Sequence, residues 1–244
     1  MNTLALGGLL FLLAGVFNWL MRCKPEDCYG TNNEEKTSFI GDFMSSLNYL
    51  KDNPRLVGIY LIQTCVMILL MTIPILLLPY TKEVLKVGAD KFSILEAIFS
   101  VGIFTGCLVS PLLCRLINIK RTLLLLIVSM AIGLHIFSIN NNLIISYIFY
   151  FIIGFGLSSW SLSLTQAQLL ADKKFQGRLQ STFYSISGLV VLAIYLLITF
   201  RTDFYDIQKM YNFQTIIALC AIIIILIMKE KIFEPTNHNE NAIN

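Results

Sequence analysis

One pattern limits this chain more than any other: stretches of about twenty apolar residues recur along it, and the charges fall in the short connectors between them. An α-helix rises about 1.5 Å per residue, so roughly twenty apolar residues match the ~30 Å hydrocarbon core of a bilayer. Seven stretches of the 244-residue sequence meet or approach that length, at 3–21, 56–79, 92–114, 122–139, 143–165, 180–200 and 213–228. The last is the shortest, yet its end, Cys220 to Met228, is the most uniformly apolar run of all. None of the stretches alternates with the period of two that a membrane barrel strand needs. Backbone groups in lipid must be satisfied within their own segment, so helices are predicted. Composition agrees: 56% of residues are hydrophobic and 14% charged, with a mean hydropathy of +0.73, against about 25% charged in soluble domains. The sequence therefore predicts an all-α membrane protein with seven transmembrane helices. Its parts are a first span (1–21), a cytosolic loop (22–55), a six-helix bundle (56–228) and a polar cytosolic tail (229–244).

The connectors set the orientation. All 18 Lys and Arg residues lie outside the seven stretches. Segments 22–55, 115–121, 166–179 and 229–244 hold thirteen of them, and the connectors on the other side hold five: Lys82, Lys86, Lys91, Arg201 and Lys209. The positive-inside rule then predicts an amino terminus outside and a carboxyl terminus in the cytosol, in a plasma membrane of the bacterial inner-membrane type. The first stretch has no basic start and no small-residue cleavage site, while Arg22 and Lys24 follow it, so it is read as a retained span rather than a signal peptide. Within 22–55, residues Phe39, Ile40, Phe43, Met44, Leu47 and Leu50 recur at three- and four-residue intervals. That spacing predicts an amphipathic helix, either lying along the inner membrane surface or packed on the protein. Asn53-Pro54 reads as the cap and first-turn proline of the next helix.

Little in the sequence points to enzyme chemistry. There is no nucleophile elbow, no phosphate-cradling loop and no pair of carboxylates within a span. Of six cysteines, Cys65, Cys107, Cys114 and Cys220 lie in or at the ends of spans, where a thiol behaves as a small hydrophobe. Cys23 and Cys28 lack the second ligand pair that a structural metal site needs. No cofactor and no nucleic-acid partner are expected; the partners are the bilayer and a small-molecule substrate.

The polar residues within the spans carry the functional signal. Glu96 is the one acidic residue inside a stretch, about a turn from its outer end, and an ionisable group at membrane depth is a functional candidate. Interfacial water offers Glu96 a structural alternative. Gly102 and Gly106 form a Gly-x-x-x-Gly step that permits close helix packing. Polar residues crowd the fifth and sixth stretches, from Ser158 to Gln166 and from Ser181 to Ser187, and Gln63 and Thr64 add a pair in the second. Such density suggests helices facing a bundle interior, serving either a substrate pathway or hydrogen bonds between helices.

Four segments taken in order resemble the major facilitator superfamily of transporters, in particular its macrolide-efflux and enterobactin-exporter branch. They are Phe39 to Pro54, Ile73 to Tyr80, Leu95-Glu96-Ala97 followed by Gly102 and Gly106, and Gln176-Gly177-Arg178 after Thr165-Gln166. The resemblance implies that the seven stretches correspond to helices six to twelve of a twelve-helix fold. It further implies a secondary transporter exporting drugs or other amphiphilic small molecules, present as an incomplete or split carboxyl-terminal half that a separate chain with amino-terminal helices would complete. Gln63, Glu96, Trp160, Gln166 and Tyr184 are the implied pathway residues, and Arg115, Lys120, Arg121, Gly177 and Arg178 the implied inner-loop gating residues. The basic turn Cys114 to Arg121 departs from the family's loop signature in lacking its Gly and Asp, and the turn before Gly177 lacks its proline. Two alternatives are a seven-helix receptor and an inert membrane fragment. Against the receptor, no span holds a Lys for retinal and no Asp-Arg-Tyr or Asn-Pro-x-x-Tyr signature is present.

Overall fold

The computed structural model describes residues 2–20, 39–200, 206–230 and 233. Arg22 to Ser38 with Cys23 and Cys28, Arg201, and the tail with His238 lie outside the described residues. The chain forms two units, Met1–Gly41 and Asp42–Asn244. The first contains α1 (Asn2–Leu20), an apolar helix. The second contains six helices long and apolar enough to cross a membrane. Among the described residues there is no strand, as a lipid environment requires of a chain that closes its hydrogen bonds locally.

The second unit follows α2 (Phe39–Asp52) with α3 (Pro54–Pro79), α4 (Ala89–Ile117), α5 (Ile119–Ile139), α6 (Leu143–Leu157), α7 (Ser159–Leu170), α8 (Lys173–Phe200) and α9 (Ile207–Ile227). Together α6 and α7 make one span interrupted at Ser158. Pro54 opens α3 at its first turn, where its missing N–H costs nothing. A π turn, Tyr80–Val84, follows the second internal proline, Pro79. Successive spans alternate in direction, so the bundle has two ends. At one end Lys120 Nζ donates to the carbonyl of Met228, and α2 meets the first turn of α8 through a Tyr49–Phe175 ring stack at 4.5 Å. Arg55, Arg115, Lys120, Arg121, Arg178 and Lys229 gather at this basic end. At the far end the Tyr80 hydroxyl donates to the Asn140 carbonyl at 2.8 Å, and Gln208 Nε2 donates to Asn141 Oδ1 at 2.9 Å.

Glycines set how the core packs. The main helix pairs are α4 with α6, α5 with α6 and α9, and α3 with α7, α8 and α9. A Cβ at Gly102 would strike the Phe151 carbonyl, and one at Gly154 the Phe99 carbonyl, so the α4 and α6 backbones touch where they cross. At Gly106 a Cβ would lie 2.6 Å from both the Phe155 carbonyl and Ser158 Oγ. Close backbone approach of this kind replaces the hydrophobic drive that is absent in lipid.

Several helix boundaries differ from the sequence expectation, the start of α9 at Ile207 rather than 213 being the simplest; the following three bear on the site. Ala89 starts α4 three residues early, so Glu96 lies two turns into the helix rather than one. Lys173 starts α8 seven residues before the apolar stretch, which puts Gly177-Arg178 inside its first turns rather than in a turn preceding it. The fifth stretch continues to Leu170 but breaks at Ser158. In the first two, polar residues of the interface extend a helix that the apolar count alone had ended.

Candidate functional site

Three helices, α3, α7 and α8, hold a polar layer beside an aromatic one. Tyr60 on α3 and Phe183 on α8 lie with ring centroids 5.5 Å apart. Trp160 on α7 reaches the same Phe183 at 6.0 Å and Tyr184 at 6.3 Å. One turn further toward the far end, α3 presents Gln63 and α8 presents Ser187, both fully buried; Ser159, also fully buried, directly precedes Trp160 on α7. Both atoms of the Gln63 amide and the Ser159 and Ser187 hydroxyls have no hydrogen-bond partner. On the basic side of the aromatic layer, the Gln180 amide is likewise buried and unpaired.

Each such group costs about 1–3 kcal/mol if left without a partner, and buried polar groups in native proteins are rarely left so. Three on the far-end side of one aromatic cluster, from three helices, therefore form a site built to receive hydrogen-bonding atoms from water or from a guest. Aromatic rings at its floor add flat apolar surface. The mixture suits a molecule with one hydrogen-bonding part and one apolar part.

The break at Ser158 adjoins this layer. Its Oγ donates to the Phe155 carbonyl at 2.7 Å and lies 3.4 Å from Ser110 Oγ. Side-chain insertion into the helical ladder next to glycines is a common origin of a kink; here Gly154 and Gly156 precede it. Membrane transporters place interrupted helices where they line a cavity.

The expected pathway residues divide between two places. Gln63 and Trp160 meet around the layer, and Tyr184 stands at its edge, 44% exposed. Gln166 is buried two turns along α7 toward the basic end. Glu96 lies apart, half-buried on α4 among the aromatic rings near the far end. Sequence reasoning singled out neither Gln180 nor Tyr60. The signal that finds them is the helical phase they share with Phe183 and Gln63. The loop residues also separate. Arg115 ends α4, where its charge complements the helix dipole, and Lys120 caps α9 through Met228. Arg121 is exposed at the start of α5. Gly177 meets nothing within 4 Å of where a Cβ would stand, so no close approach requires it.

A family model described as Major Facilitator Superfamily matches residues 2–195, four-fifths of the chain. The chain belongs to the major facilitator superfamily. Comparison with curated proteins gives no significant match. Members of the superfamily are transporters rather than enzymes, and the match covers the whole polar layer as well as α4 with Glu96. The chain is accordingly a multi-pass membrane protein of a transport family.

Proposed function

We propose that this superfamily member is a secondary transporter that exports drugs or other amphiphilic small molecules, and that the polar layer over the Tyr60–Phe183–Trp160 rings receives the substrate. The observation that carries the reading is the set of buried, unpaired groups beside the aromatic rings: the Gln63 amide and the Ser159 and Ser187 hydroxyls. They match a guest with both polar and apolar surface. Gln63 and Trp160 contact it, Tyr184 borders the path, and Gln166 lies along the route toward the basic end. The basic end faces the cytosol, by the positive-inside rule. That puts Arg115, Lys120, Arg121 and Arg178 at the inner mouth, where their contacts gate the path.

Further helices complete the cavity, on a longer chain or on a second polypeptide. Support comes from how unevenly the bundle covers its members. Of the most apolar window of α4, 22% is buried, and of α8, 28%, against 56% for α5. On α8 the uncovered surface includes Ser181, Tyr184, Ser185 and Gly188 beside apolar residues, a composition suited to another helix bundle rather than to lipid alone.

The test is accumulation of a panel of fluorescent amphiphilic dyes in a sensitive bacterial strain. Cells making the chain together with a polypeptide that supplies amino-terminal helices should accumulate less dye than cells making either alone. Gln63→Leu should abolish that difference at unchanged protein level. Equal accumulation across the panel, or full export by the Gln63→Leu variant, contradicts the reading. Full export by the chain alone would show that no further helices are needed.

A further inference from the structure

The residues gathered at the Tyr60–Phe183–Trp160 rings are polar without being charged. On α3 the sequence holds no Asp, Glu, Lys, Arg or His from Leu56 to Thr81. On α6 and α7 it holds none from Leu143 to Ala171, and on α8 none from Leu179 to Phe200. Residues Met210 to Ile227 of α9 carry none either, and the one such residue of α5 after Arg121, His135, is exposed on the bundle surface. Glu96 stands on α4, which packs mainly on α6 rather than on α7 or α8. The nearest cations along α3 and α8 are Arg55, eight residues before Gln63, and Arg178, nine before Ser187. That spacing puts about 12–14 Å of helix between each cation and the polar group.

The uncharged set is balanced between donors and acceptors. Gln63 offers an amide N–H donor and a carbonyl acceptor, and the Ser159 and Ser187 hydroxyls each do both. All are buried without a partner. On the basic side Gln180 adds a second amide in the same state. An ammonium group only donates and a carboxylate only accepts, so either meets half of this set and leaves the other half unpaired. Either also loses its hydration where no opposite charge replaces it. The rings do not make up that loss. Tyr60 and Phe183 lie 5.5 Å apart and tilted by 35°, and Trp160 and Phe183 lie 6.0 Å apart and tilted by 37°. Rings at that spacing touch each other and do not flank a cation from two sides.

We infer that the layer selects uncharged guests bearing both a hydrogen-bond donor and an acceptor on a flat apolar frame, such as lactams or hydroxyketones, over cations and carboxylates of the same shape. This selectivity rests on the layer being the place where the substrate sits, and it narrows the class of amphiphile carried. Gln63 contributes most to the choice, because its one amide supplies both a donor and an acceptor; Ser187 contributes from the facing helix.

Three dyes with one three-ring skeleton test the charge rule: acridone, which is neutral with an N–H and a carbonyl; 9-aminoacridine, a cation at neutral pH; and acridine-9-carboxylate, an anion. The full chain with Trp19→Phe, in nanodiscs of zwitterionic phosphatidylcholine, keeps Trp160 as its single tryptophan. Quenching of Trp160 emission then reads occupancy beside the rings. Acridone should reach half-quenching at a concentration at least about tenfold lower than either charged dye. Gln63→Leu should weaken acridone by about tenfold and leave the charged dyes where they were. Ser187→Ala should weaken acridone in the same direction by less. If 9-aminoacridine or acridine-9-carboxylate quenches in the concentration range of acridone, with the same sensitivity to Gln63→Leu, the charge rule is overturned and the transport reading stands. Quenching by none of the three, or by all three regardless of Gln63→Leu, overturns both, because the layer then takes no guest.

Discussion

At the scale of single residues, the same amino acid does opposite things at different places. Gly102 and Gly154 stand where the α4 and α6 backbones touch, while Gly188 on α8 has nothing within 4 Å of its missing Cβ. Gly102→Ala should therefore lower the melting temperature in detergent by forcing two backbones apart, at a cost of about 1–3 kcal/mol. Gly188→Ala should leave it unchanged or raise it, since a helix gains roughly 0.5–1 kcal/mol from the same change. Equal behaviour of the two variants would contradict the described crossing. Gln63 gives a sharper contrast. An apolar residue of similar size removes an unpaired buried amide, so Gln63→Leu should hold or increase thermal stability even as it stops transport. A structural amide would show the reverse, with stability lost and flux kept. The Gly-x-x-x-Gly spacing was legible in the sequence because it is a local pattern. That Gly154 completes the same contact was not, because the partner lies about fifty residues away.

Among elements, apolar length alone marked each long span, and helix ends were where it fell short. The sequence placed the start of α8 at 180, whereas the helix begins at Lys173 and carries Gln176, Gly177 and Arg178 in its first turns. Polar residues outside the hydrocarbon zone still form helical hydrogen bonds, and the chain has no proline there to stop them. The Ser158 break was hidden for another reason: it lies within a single apolar stretch that runs on past it, and only the serine side chain bonding back to Phe155 marks it. The connector between α4 and α5 is Asn118, at φ 76°, ψ 153°, with its side chain accepting from the Ile119 N–H at 2.7 Å. That is backbone territory normally left to glycine. Asn118→Val should destabilise the turn and lower the yield of folded protein, while Asn118→Gly should preserve it; comparable yields of the two in size-exclusion chromatography would refute this. Docking of α2 depends on Tyr49, whose hydroxyl donates to Asp172 Oδ2 at 3.1 Å while its ring stacks on Phe175. Burial is the main cause that pushes its phenol above the ordinary tyrosine range. The contribution of this neutral phenol is present below pH ~10 and is lost as pH rises through the raised value. Limited proteolysis around α2 should therefore accelerate only in strong alkali.

For the whole molecule, the superfamily match and the six long apolar helices support a bundle whose two ends differ in charge. Fold class was readable from the sequence because lipid allows few alternatives. The candidate site was readable only in part. Gln63, Trp160 and Tyr184 announced themselves as polar or amphipathic residues in apolar stretches, but their nearness to one aromatic cluster depends on the helix directions and on the Tyr60–Phe183 contact. All of these proposals assume that the bundle crosses the membrane with its basic end in the cytosol. In a background without native cysteines, Arg121→Cys and Asn141→Cys place one thiol at each exposed end, and an impermeant maleimide applied to intact cells reads them. Position 141 should label from outside and position 121 only after the membrane is opened. Labelling of 121 in intact cells with 141 protected would reverse the bundle and contradict the account.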